Sequence, residues 1–242
     1  MTKWLQGRVV ENRRWTEALF TLRVEGAPLE FEAGPFVRIA LDIDGERIAR
    51  PFSMVNAPGE ARLEFYGVIV PQGPLSPRLA LLQAGEALFV APNPAGFLVL
   101  SEVPAAQTLW LLSTGTGIAP FVSMVRAGTP WPRFENVVLV HAVRHARELV
   151  YRDEVQRDPR IRYVPVVSRE DAPGALRGRI PALVRDGALE ARAGLALVPD
   201  TAQVMLCGNP DMLKDTTAVL AERGLRKNRR RTPGHITLES FW

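Results

Sequence analysis

Cysteine is nearly absent from this sequence, because the 242 residues contain Cys207 and no second cysteine. One thiol cannot close a disulfide within the chain. Nor can it supply the several cysteines that an iron–sulfur cluster or a cysteine-rich zinc site draws from a single chain. Because disulfides accumulate in secreted proteins, their exclusion here predicts a reducing, cytoplasmic location.

Histidine is also scarce, with three in the chain. His141 and His145 have the spacing of two zinc ligands on a helix, but His141 falls in a predicted strand and neither stands next to a glutamate. Residues 42–45 begin like a calcium-binding loop, yet the twelfth position of that loop is Ser53 instead of a bidentate glutamate. We therefore predict no metal site, and we interpret residues 42–45 as a hairpin turn.

Long apolar runs are missing as well. Residues 1–15 carry five charged side chains and no stretch that fits a signal peptide, so we expect the protein not to be exported. Residues 103–125 contain no charged side chain, but prolines, glycines and hydroxyl residues interrupt them. A lipid-spanning helix does not fit that composition, and we predict no membrane span.

The positive charge is concentrated near the end of the chain. Residues 1–100 carry a net charge of −1 and residues 101–242 a net charge of +5, an excess equal to the five basic residues at positions 226–231. This basic run is either a solvated helix end or a surface for an acidic partner. Nucleic acid is not the expected partner, since no aromatic residues alternate with the basic ones.

The first hundred residues have the pattern of a domain made of short strands. Polar and apolar residues alternate in four segments, and clusters of glycine, proline and aspartate separate them. Many short strands without a long helix predict an antiparallel barrel or sandwich. The four predicted strands cover residues 18–24, 36–43, 62–70 and 87–90.

The pattern changes near residues 96–105, where we place the boundary between two domains, 1–100 and 101–242. Strand and helix patterns alternate from there on, which predicts a parallel sheet with helices on both faces. The predicted strands are 108–113, 136–142, 161–167 and 203–207, and the predicted helices are 118–126, 148–157, 180–186 and 212–223.

A glycine-rich turn, Gly115-Thr116-Gly117, follows the first predicted parallel strand and precedes a helix. Backbone N–H groups at such a turn can hold a phosphate. The segment lacks the Gly-Lys-Ser/Thr ending of nucleoside triphosphatases, and Pro120 replaces the last glycine of the dinucleotide fingerprint. Nucleotide binding and a purely structural turn therefore both remain open at this point.

Arginines follow the next two predicted strands. Arg144 comes after the second parallel strand, Arg169 after the third, and Arg179 precedes the following helix. The carboxyl ends of neighbouring parallel strands share one edge, so Arg144 and Arg169 are expected to converge on one phosphate. An arginine fork suits the 2'-phosphate of NADP, whereas NAD-binding folds often present a carboxylate here, and the first carboxylate is Glu148.

The first domain contains three further polar or aromatic segments. Residues 50–53 are Arg-Pro-Phe-Ser and stand at the start of a predicted strand, and residues 66–68 and 73–76 follow. Arginine can neutralise a pyrophosphate, an aromatic ring can stack on a planar heterocycle, and a serine hydroxyl can bond a ring nitrogen. Such residues are common, so this chemistry alone does not identify a ligand.

Taken together, these segments resemble the ferredoxin–NADP reductase family, and bacterial flavodoxin/ferredoxin–NADP reductases above all. The resemblance covers essentially the whole chain. Its four main motifs are Arg50-x-Phe52-Ser53, Gly73-x-Leu75-Ser76, Gly115-Thr116-Gly117-Ile118-Ala119-Pro120 and Cys207-Gly208-Asn209-Pro210. Further matches are residues 44–47, 75–78, 166–170, 178–181, 233–235 and the final Phe241-Trp242.

The resemblance implies a six-stranded antiparallel FAD-binding barrel followed by a parallel-sheet NADP-binding α/β domain. Arg50 would hold the FAD pyrophosphate, Phe52 would pack on the flavin, and Ser53 would reach its N5 region. Phe52 replaces the tyrosine most common in the family, which keeps the ring and loses a hydroxyl. The main chain at residues 66–68 would contact the flavin edge, and the end of the chain would fold over FAD with Trp242 stacked on the adenine. The other residues implied for FAD are Tyr66, Val68, Leu75, Ser76, Thr116, Phe241 and Trp242.

The resemblance also assigns residues to the coenzyme and to hydride transfer. Those implied for NADP are Arg144, Ser168, Arg169, Arg179, Asn209 and Asp211. In the wider family a cysteine and a carboxylate near the C-terminus approach the nicotinamide, and here they are Cys207 and Glu239. Two plainer roles remain open for this pair: Cys207 as a small buried residue ending a strand, and Glu239 as a solvated side chain.

The implied activity is electron transfer between NADP(H) and a ferredoxin or flavodoxin through FAD, by a monomer with an acidic carrier as partner. The cofactor performs this chemistry, which agrees with the lack of a convincing catalytic triad. One alternative is a reductase component of an oxygenase, but the fused four-cysteine cluster domain frequent there is absent. Another alternative is a flavin-binding regulatory or electron-bifurcating subunit without NADP chemistry of its own. Arg144 and Arg169 argue against it, because they suit the 2'-phosphate of NADP.

Overall fold

The computed structural model describes residues 3–240, and within them the chain forms two six-stranded sheets, one after the other. The first sheet is antiparallel, and its strand order is β4-β3-β6-β1-β2-β5. Its strands are β1 (Leu5–Arg14), β2 (Leu19–Glu25), β3 (Phe36–Ile43), β4 (Glu46–Ser53), β5 (Leu63–Val68) and β6 (Ala87–Val90). The predicted antiparallel architecture of the first domain is confirmed.

The antiparallel sheet curls into a barrel because its two edge strands meet. The chain leaves β4 through Met54, which bridges Phe65 of β5, and the N–H of Val55 donates to the carbonyl oxygen of Glu64 over 2.8 Å. At the other end of β4, the β3–β4 hairpin turns through residues 44–45, both with positive φ. The interpretation of residues 42–45 as a hairpin turn is therefore confirmed.

The second sheet is parallel throughout, in the order β10-β9-β8-β7-β11-β12. Its strands are β7 (Thr108–Thr114), β8 (Asn136–Val143), β9 (Ile161–Val167), β10 (Leu176–Arg177), β11 (Ala202–Gly208) and β12 (Ile236–Ser240). Strands β8, β9 and β10 are added in turn on one side of β7, and β11 and β12 are then added on its other side. Such a reversal of strand order opens a crevice at the carboxyl ends of the strands, where ligands bind in open parallel sheets.

Helices cover both faces of the parallel sheet. They are α2 (Ala119–Arg126), α3 (Arg152–Gln156), α4 (Ile180–Arg185), α5 (Ala188–Ala193) and α6 (Pro210–Glu222), while α1 (Ser76–Leu79) caps the barrel. Short 3₁₀ turns occupy Leu100–Glu102, Gly115–Ile118 and Ala146–Glu148. Alternate residues of the central strands enter two different apolar clusters, so each face of the sheet has its own core.

Three local predictions are wrong. Residues 50–53 end β4 instead of starting a strand. The helix predicted over 148–157 begins only at Arg152, because Tyr151 has a φ of 67°, which no helix accommodates. The basic run is not a helix end: α6 stops at Glu222, and residues 226–231 lie in a loop beyond it.

The uncharged segment 103–125 contributes β7 and most of α2, with a turn between them. Among residues 3–240, no helix has the length and apolar character needed to cross a membrane.

The barrel and the parallel sheet meet around one buried carboxylate, that of Glu64 on β5. Its side chain receives hydrogen bonds from the guanidinium of Arg126 at the end of α2, at 3.2 Å, and from the hydroxyl of Tyr151, at 2.8 Å. Arg23 adds a third contact at 3.2 Å. Burial by itself raises the pKa of Glu64, but the positive charge and hydrogen bonds of Arg126 and Tyr151 outweigh it and leave this pKa below its ordinary value.

We expect Arg126→Ala to lower the free energy of unfolding by about 3 to 5 kcal/mol at neutral pH, because it removes the more buried of the two arginines that contact Glu64 and leaves this buried carboxylate with the half-exposed Arg23 and the Tyr151 hydroxyl. The pKa of Glu64 is depressed in the folded protein, so its contribution is present above the unfolded pKa and is lost as the pH falls through the folded value. Without Arg126 that pKa rises, and the deficit of the variant should shrink toward acidic pH. Urea unfolding at two pH values measures both effects.

Arg177→Ala is the control, because Arg177 forms an exposed ion pair with Asp171 at 2.9 Å. Such pairs contribute about 0 to 1 kcal/mol. Equal losses in the two variants, or a deficit that does not depend on pH, would contradict the role assigned to Glu64.

Candidate functional site

Two adjoining cavities open where the barrel meets the carboxyl edge of the parallel sheet. The barrel cavity has a volume of about 320 Å³ and the sheet cavity about 460 Å³. Val68 of β5 and Thr116 of the glycine-rich turn line both of them. A ligand in one cavity can therefore contact a ligand in the other, across one residue from each domain.

The barrel cavity contains every described residue that the sequence assigned to FAD. Arg50, Phe52 and Ser53 come from the end of β4. The Ser53 hydroxyl is buried and has no hydrogen-bond partner among the described residues, which is costly unless a ligand supplies one. Arg50 is exposed and forms no ion pair within residues 3–240, although it donates to the neighbouring carbonyl of Ala49 at 2.8 Å.

The β5 side of the barrel cavity offers backbone instead of side chains. The ring of Tyr66 turns away into the domain junction, where it stands edge-on to Tyr151 with the ring centres 5.4 Å apart. At Gly67, a Cβ atom would lie 2.6 Å from Phe20 and 3.0 Å from Phe52, so only glycine fits. A planar ring in this cavity would thus meet main-chain groups at positions 66–68.

The far wall of the barrel cavity is the loop before α1. Leu75 is buried at its base. The hydroxyl of Ser76 accepts a hydrogen bond from the N–H of Val70 at 2.9 Å, which fixes the turn containing Gly73. The Ser76 hydroxyl therefore shapes the wall.

The glycine-rich turn packs directly on the end of β11. A Cβ atom at Gly117 would lie 2.5 Å from the carbonyl oxygen of Cys207, and one at Gly208 would lie 2.1 Å from the hydroxyl oxygen of Thr114. Thr114 then accepts a hydrogen bond from the N–H of Asn209 at 2.9 Å. Two glycines thus bring the carboxyl ends of β7 and β11 together, and Thr116 is held at the boundary of the cavities.

His141 forms a hydrogen bond to the backbone of this turn, a role that the sequence analysis did not predict. Its Nε2 lies 3.2 Å from the carbonyl oxygen of Gly115, and its Nδ1 lies 3.3 Å from the hydroxyl of Tyr163. A carbonyl can only accept, so Nε2 carries the proton and donates. Burial lowers the pKa of His141 to about 4, against the opposing effect of the Gly115 hydrogen bond. The ring is therefore a neutral donor at physiological pH.

The sheet cavity contains every residue that the sequence assigned to NADP. Arg144 follows β8, Arg169 follows β9, and Arg179 precedes α4. All three side chains are exposed at the cavity, and none forms an ion pair within residues 3–240. Their shared cavity at this strand edge suits an anion, and the convergence of Arg144 and Arg169 on one phosphate stays a prediction.

The opposite wall is the start of α6. The side-chain oxygen of Asn209 accepts hydrogen bonds from the N–H groups of Asp211 and Met212, at 2.9 and 3.3 Å, and so caps the helix. Asp211 lines the cavity beside it. Sequence reasoning did not identify Glu148 and Asp215 as lining residues, and no motif marks either one.

Cys207 and Glu239 line neither cavity. They are register partners on β11 and β12. Cys207 is fully buried in the core shared by the two domains, and burial raises the pKa of its thiol well above the ordinary value. Glu239 lies against Gly96, and burial raises the pKa of its carboxyl to about 7, although the N–H of Phe97 acts in the opposite direction.

The solvated alternative for Glu239 is wrong, because one of its carboxylate oxygens is buried and has no hydrogen-bond partner among the described residues. The buried, strand-ending alternative for Cys207 matches its position. Whether either side chain acts in hydride transfer stays a prediction. Phe241 and Trp242 lie outside the described residues, so their expected contacts with FAD also stay predictions.

The two cavities suit two different ligands. The barrel cavity combines apolar walls, one exposed guanidinium and a buried hydroxyl that has no partner within residues 3–240, which fits a planar heterocycle bearing phosphate. The sheet cavity combines three guanidinium groups with a glycine-rich turn at a topological switch point, which fits a phosphorylated nucleotide. Val68 and Thr116 line both cavities, so a ligand in one would lie next to a ligand in the other.

Comparison with known proteins agrees with this geometry. Residues 111–218 match the family model described as "Oxidoreductase NAD-binding domain". The flavodoxin/ferredoxin–NADP reductase of Escherichia coli (strain K12) is 48% identical over 248 residues, which cover 100% of each chain. The ferredoxin–NADP reductase of Pseudomonas aeruginosa is 37% identical over 96% of this chain and 95% of its own.

Solved structures give the same result. The crystal structure of a ferredoxin NADP+ reductase from Neisseria gonorrhoeae with bound FAD and NADP superposes with a TM-score of 0.96, at 32% identity, over 100% of both chains. The flavohemoglobin of Malassezia yamatoensis shares the fold at 20% identity, with a TM-score of 0.82 over 99% of this chain and 60% of its own. By its whole-length identity and its fold, the chain belongs to the flavodoxin/ferredoxin–NADP reductase family of oxidoreductases.

Proposed function

We propose that this protein transfers electrons between NADP(H) and a ferredoxin or flavodoxin through a noncovalently bound FAD. The observation that carries the proposal is the pair of cavities that share Val68 and Thr116. One cavity fits a flavin and the other fits a phosphorylated nucleotide, and their contact is the requirement for passing a hydride from one to the other.

In this proposal the barrel domain holds FAD. When bound, FAD accepts or gives a hydride on one side and exchanges single electrons on the other. Ser53 supplies a hydroxyl to a ring nitrogen, since it has no other partner among residues 3–240. Arg50 neutralises the pyrophosphate, and the main chain at 66–68 lines the edge of the flavin. Leu75 and Ser76 form the wall near the phosphates.

The parallel-sheet domain holds the coenzyme. Arg144 and Arg169 bind the 2'-phosphate, and Arg179 borders the same space. Ser168 donates its hydroxyl to the Val143 carbonyl at 3.2 Å, so it shapes the loop next to Arg169. Asn209 and Asp211 form the other wall, and Thr116 stands where the nicotinamide meets the flavin. Excluding water from this junction favours hydride transfer over side reactions.

The acidic carrier docks on the basic loop after α6. Arg229 and Thr232 exchange backbone hydrogen bonds of 3.1 and 2.9 Å, which makes a tight turn with arginines at its tip. Arg230 pairs with Glu102 at 2.8 Å. Arg229 and Arg231 are exposed and form no ion pair within the described part of the chain. This loop leads into β12 and the end of the chain, where the family resemblance places the cover over FAD.

The first prediction concerns the flavin. Purified protein should contain FAD that is released on denaturation, and Arg50→Ala should weaken FAD binding about tenfold to a hundredfold, the loss of one charge-assisted phosphate contact. Arg38→Ala is the control, because Arg38 is an exposed barrel arginine that does not line the cavity. Protein that neither contains flavin nor takes up added FAD would refute the proposed function, and release of FMN would refute the identity of the cofactor.

The second prediction concerns coenzyme choice. Arg144→Ala and Arg169→Ala should each raise the KM for NADPH about tenfold to a hundredfold and leave the KM for NADH nearly unchanged, since NADH has no 2'-phosphate. Arg147→Ala serves as the control, because Arg147 is an exposed arginine of the same loop that lines neither cavity. Equal effects on the two coenzymes would instead assign these arginines to the shared pyrophosphate or to the fold.

The third prediction concerns the carrier. Replacing both Arg229 and Arg231 by serine should slow reduction of an acidic ferredoxin or flavodoxin and weaken the salt dependence of its rate, because positive charge steers the encounter. Reduction of ferricyanide and the flavin content should stay unchanged. Replacing Arg8 and Arg157 by serine removes the same charge from β1 and from the end of α3. If both double variants slow the carrier equally, net charge acts and the loop has no special role.

A cytoplasmic location and a monomeric state stay predictions, as do the domain limits of 1–100 and 101–242.

A further inference from the structure

Two carboxylates stand beside the arginines of the sheet cavity without pairing with them. Glu148 lines the cavity, and Glu170 directly follows Arg169. Opposite charges this close in sequence ordinarily attract one another. Here neither carboxylate forms an ion pair with Arg144 or Arg169. Both carboxylates instead accept hydrogen bonds from the loop that carries Arg144.

Glu148 binds the start of the Arg144 loop. One oxygen of its carboxylate accepts hydrogen bonds from the N–H groups of Arg144 and His145, at 2.9 and 3.2 Å. The carboxylate therefore holds the backbone at Arg144, while the guanidinium of Arg144 stays available to the cavity.

Glu170 crosses from the Arg169 loop to the Arg144 loop. One carboxylate oxygen accepts a hydrogen bond from the N–H of Ala146 at 2.7 Å, and the other lies 3.3 Å from Nδ1 of His145. An ionised carboxylate can only accept, so Nδ1 carries the proton in this contact. The Ala146 N–H and the His145 hydrogen bond hold the pKa of Glu170 below its ordinary value. Glu170 is thus an ionised acceptor with two donors from the other loop.

The backbone joins the same two loops at one further point. The N–H of Arg169 donates to the carbonyl oxygen of Arg144 over 3.0 Å, just beyond the last register pair of β8 and β9. This bond joins the main chains of Arg144 and Arg169 themselves, and strand pairing does not continue past it. The contacts of Glu170 hold the turn that follows Arg144, at His145 and Ala146, against the loop of Arg169.

We propose that Glu170 is a positioning residue that sets the preference for a 2'-phosphate by holding the Arg144 and Arg169 loops together. Its carboxylate ties one loop to the other through Ala146 and His145, so both guanidinium groups meet the same phosphate. This inference rests on the proposed function, because it concerns the coenzyme site described above.

The charge of Glu170 makes the test decisive, since its two conceivable effects have opposite signs. A carboxylate near a bound phosphate repels it, so removing a charge with no other role would tighten binding. If Glu170 positions the arginines, removing it weakens binding instead. Asp171 offers a matched control, because it is the next residue, is exposed, and among the described residues pairs only with Arg177.

The experiment measures the binding of 2',5'-ADP and of 5'-AMP to the FAD-loaded protein by calorimetry, for wild type, Glu170→Ala, Glu170→Gln and Asp171→Asn. We expect Glu170→Ala to weaken 2',5'-ADP binding about tenfold, on the scale of one lost hydrogen bond to a charged group, and to leave 5'-AMP binding unchanged. Glu170→Gln keeps an oxygen for the Ala146 N–H and should lose less. Asp171→Asn should leave binding unchanged or slightly tighter.

A second comparison uses the Arg169→Ala background, where Glu170→Ala should add little because one of the two positioned groups is gone. Tighter 2',5'-ADP binding in Glu170→Ala, or equal weakening of 2',5'-ADP and 5'-AMP, would overturn the inference. If wild type binds the two ligands equally, the proposed coenzyme preference fails and the inference fails with it. If wild type prefers 2',5'-ADP and Glu170→Ala keeps the full preference, the inference alone fails.

Discussion

The buried ion pair of Glu64 and Arg126 is the interaction on which the site geometry depends. Each cavity takes walls from both domains, so its shape follows from how the barrel sits on the parallel sheet. The rest of the junction is largely apolar. A desolvated carboxylate favours one arrangement of this junction, because a slip between the domains would take Glu64 away from both Arg126 and the Tyr151 hydroxyl and leave it with Arg23 of its own domain. Tyr151, which donates its hydroxyl to Glu64, has a left-handed backbone with a φ of 67°.

Much of this architecture was predictable from the sequence, for physical reasons. β3, β6 and β9 have the predicted limits because turn residues bound their apolar patterns on both sides. The arginines were found because the ends of parallel strands must share an edge, so chain order alone places Arg144 beside Arg169. The resemblance added the assignment of the barrel cavity to FAD, which residue types alone had left open.

Other features depend on contacts distant in sequence, and no local pattern encodes them. The helix predicted from residue 148 fails at Tyr151, whose hydroxyl bonds a carboxylate 87 positions away. Residues 226–231 resembled a helix end by charge, yet Asn228 is tied to the carbonyl oxygen of Glu102 at 2.6 Å. The hydrogen bond from His141 to the Gly115 carbonyl was not predictable either, since an isolated histidine in a strand has no distinctive spacing.

That hydrogen bond has a consequence for how the protein responds to acidity. A histidine with a pKa of about 4 does not change its protonation across the range of cellular pH. The Gly115 carbonyl therefore keeps the same donor, and the wall between the cavities keeps the same shape, while the medium around the protein becomes more acidic or more alkaline. Histidine often senses pH in proteins, but His141 keeps one protonation state across this range. A pH dependence of the site in the cellular range would therefore come from other titratable groups.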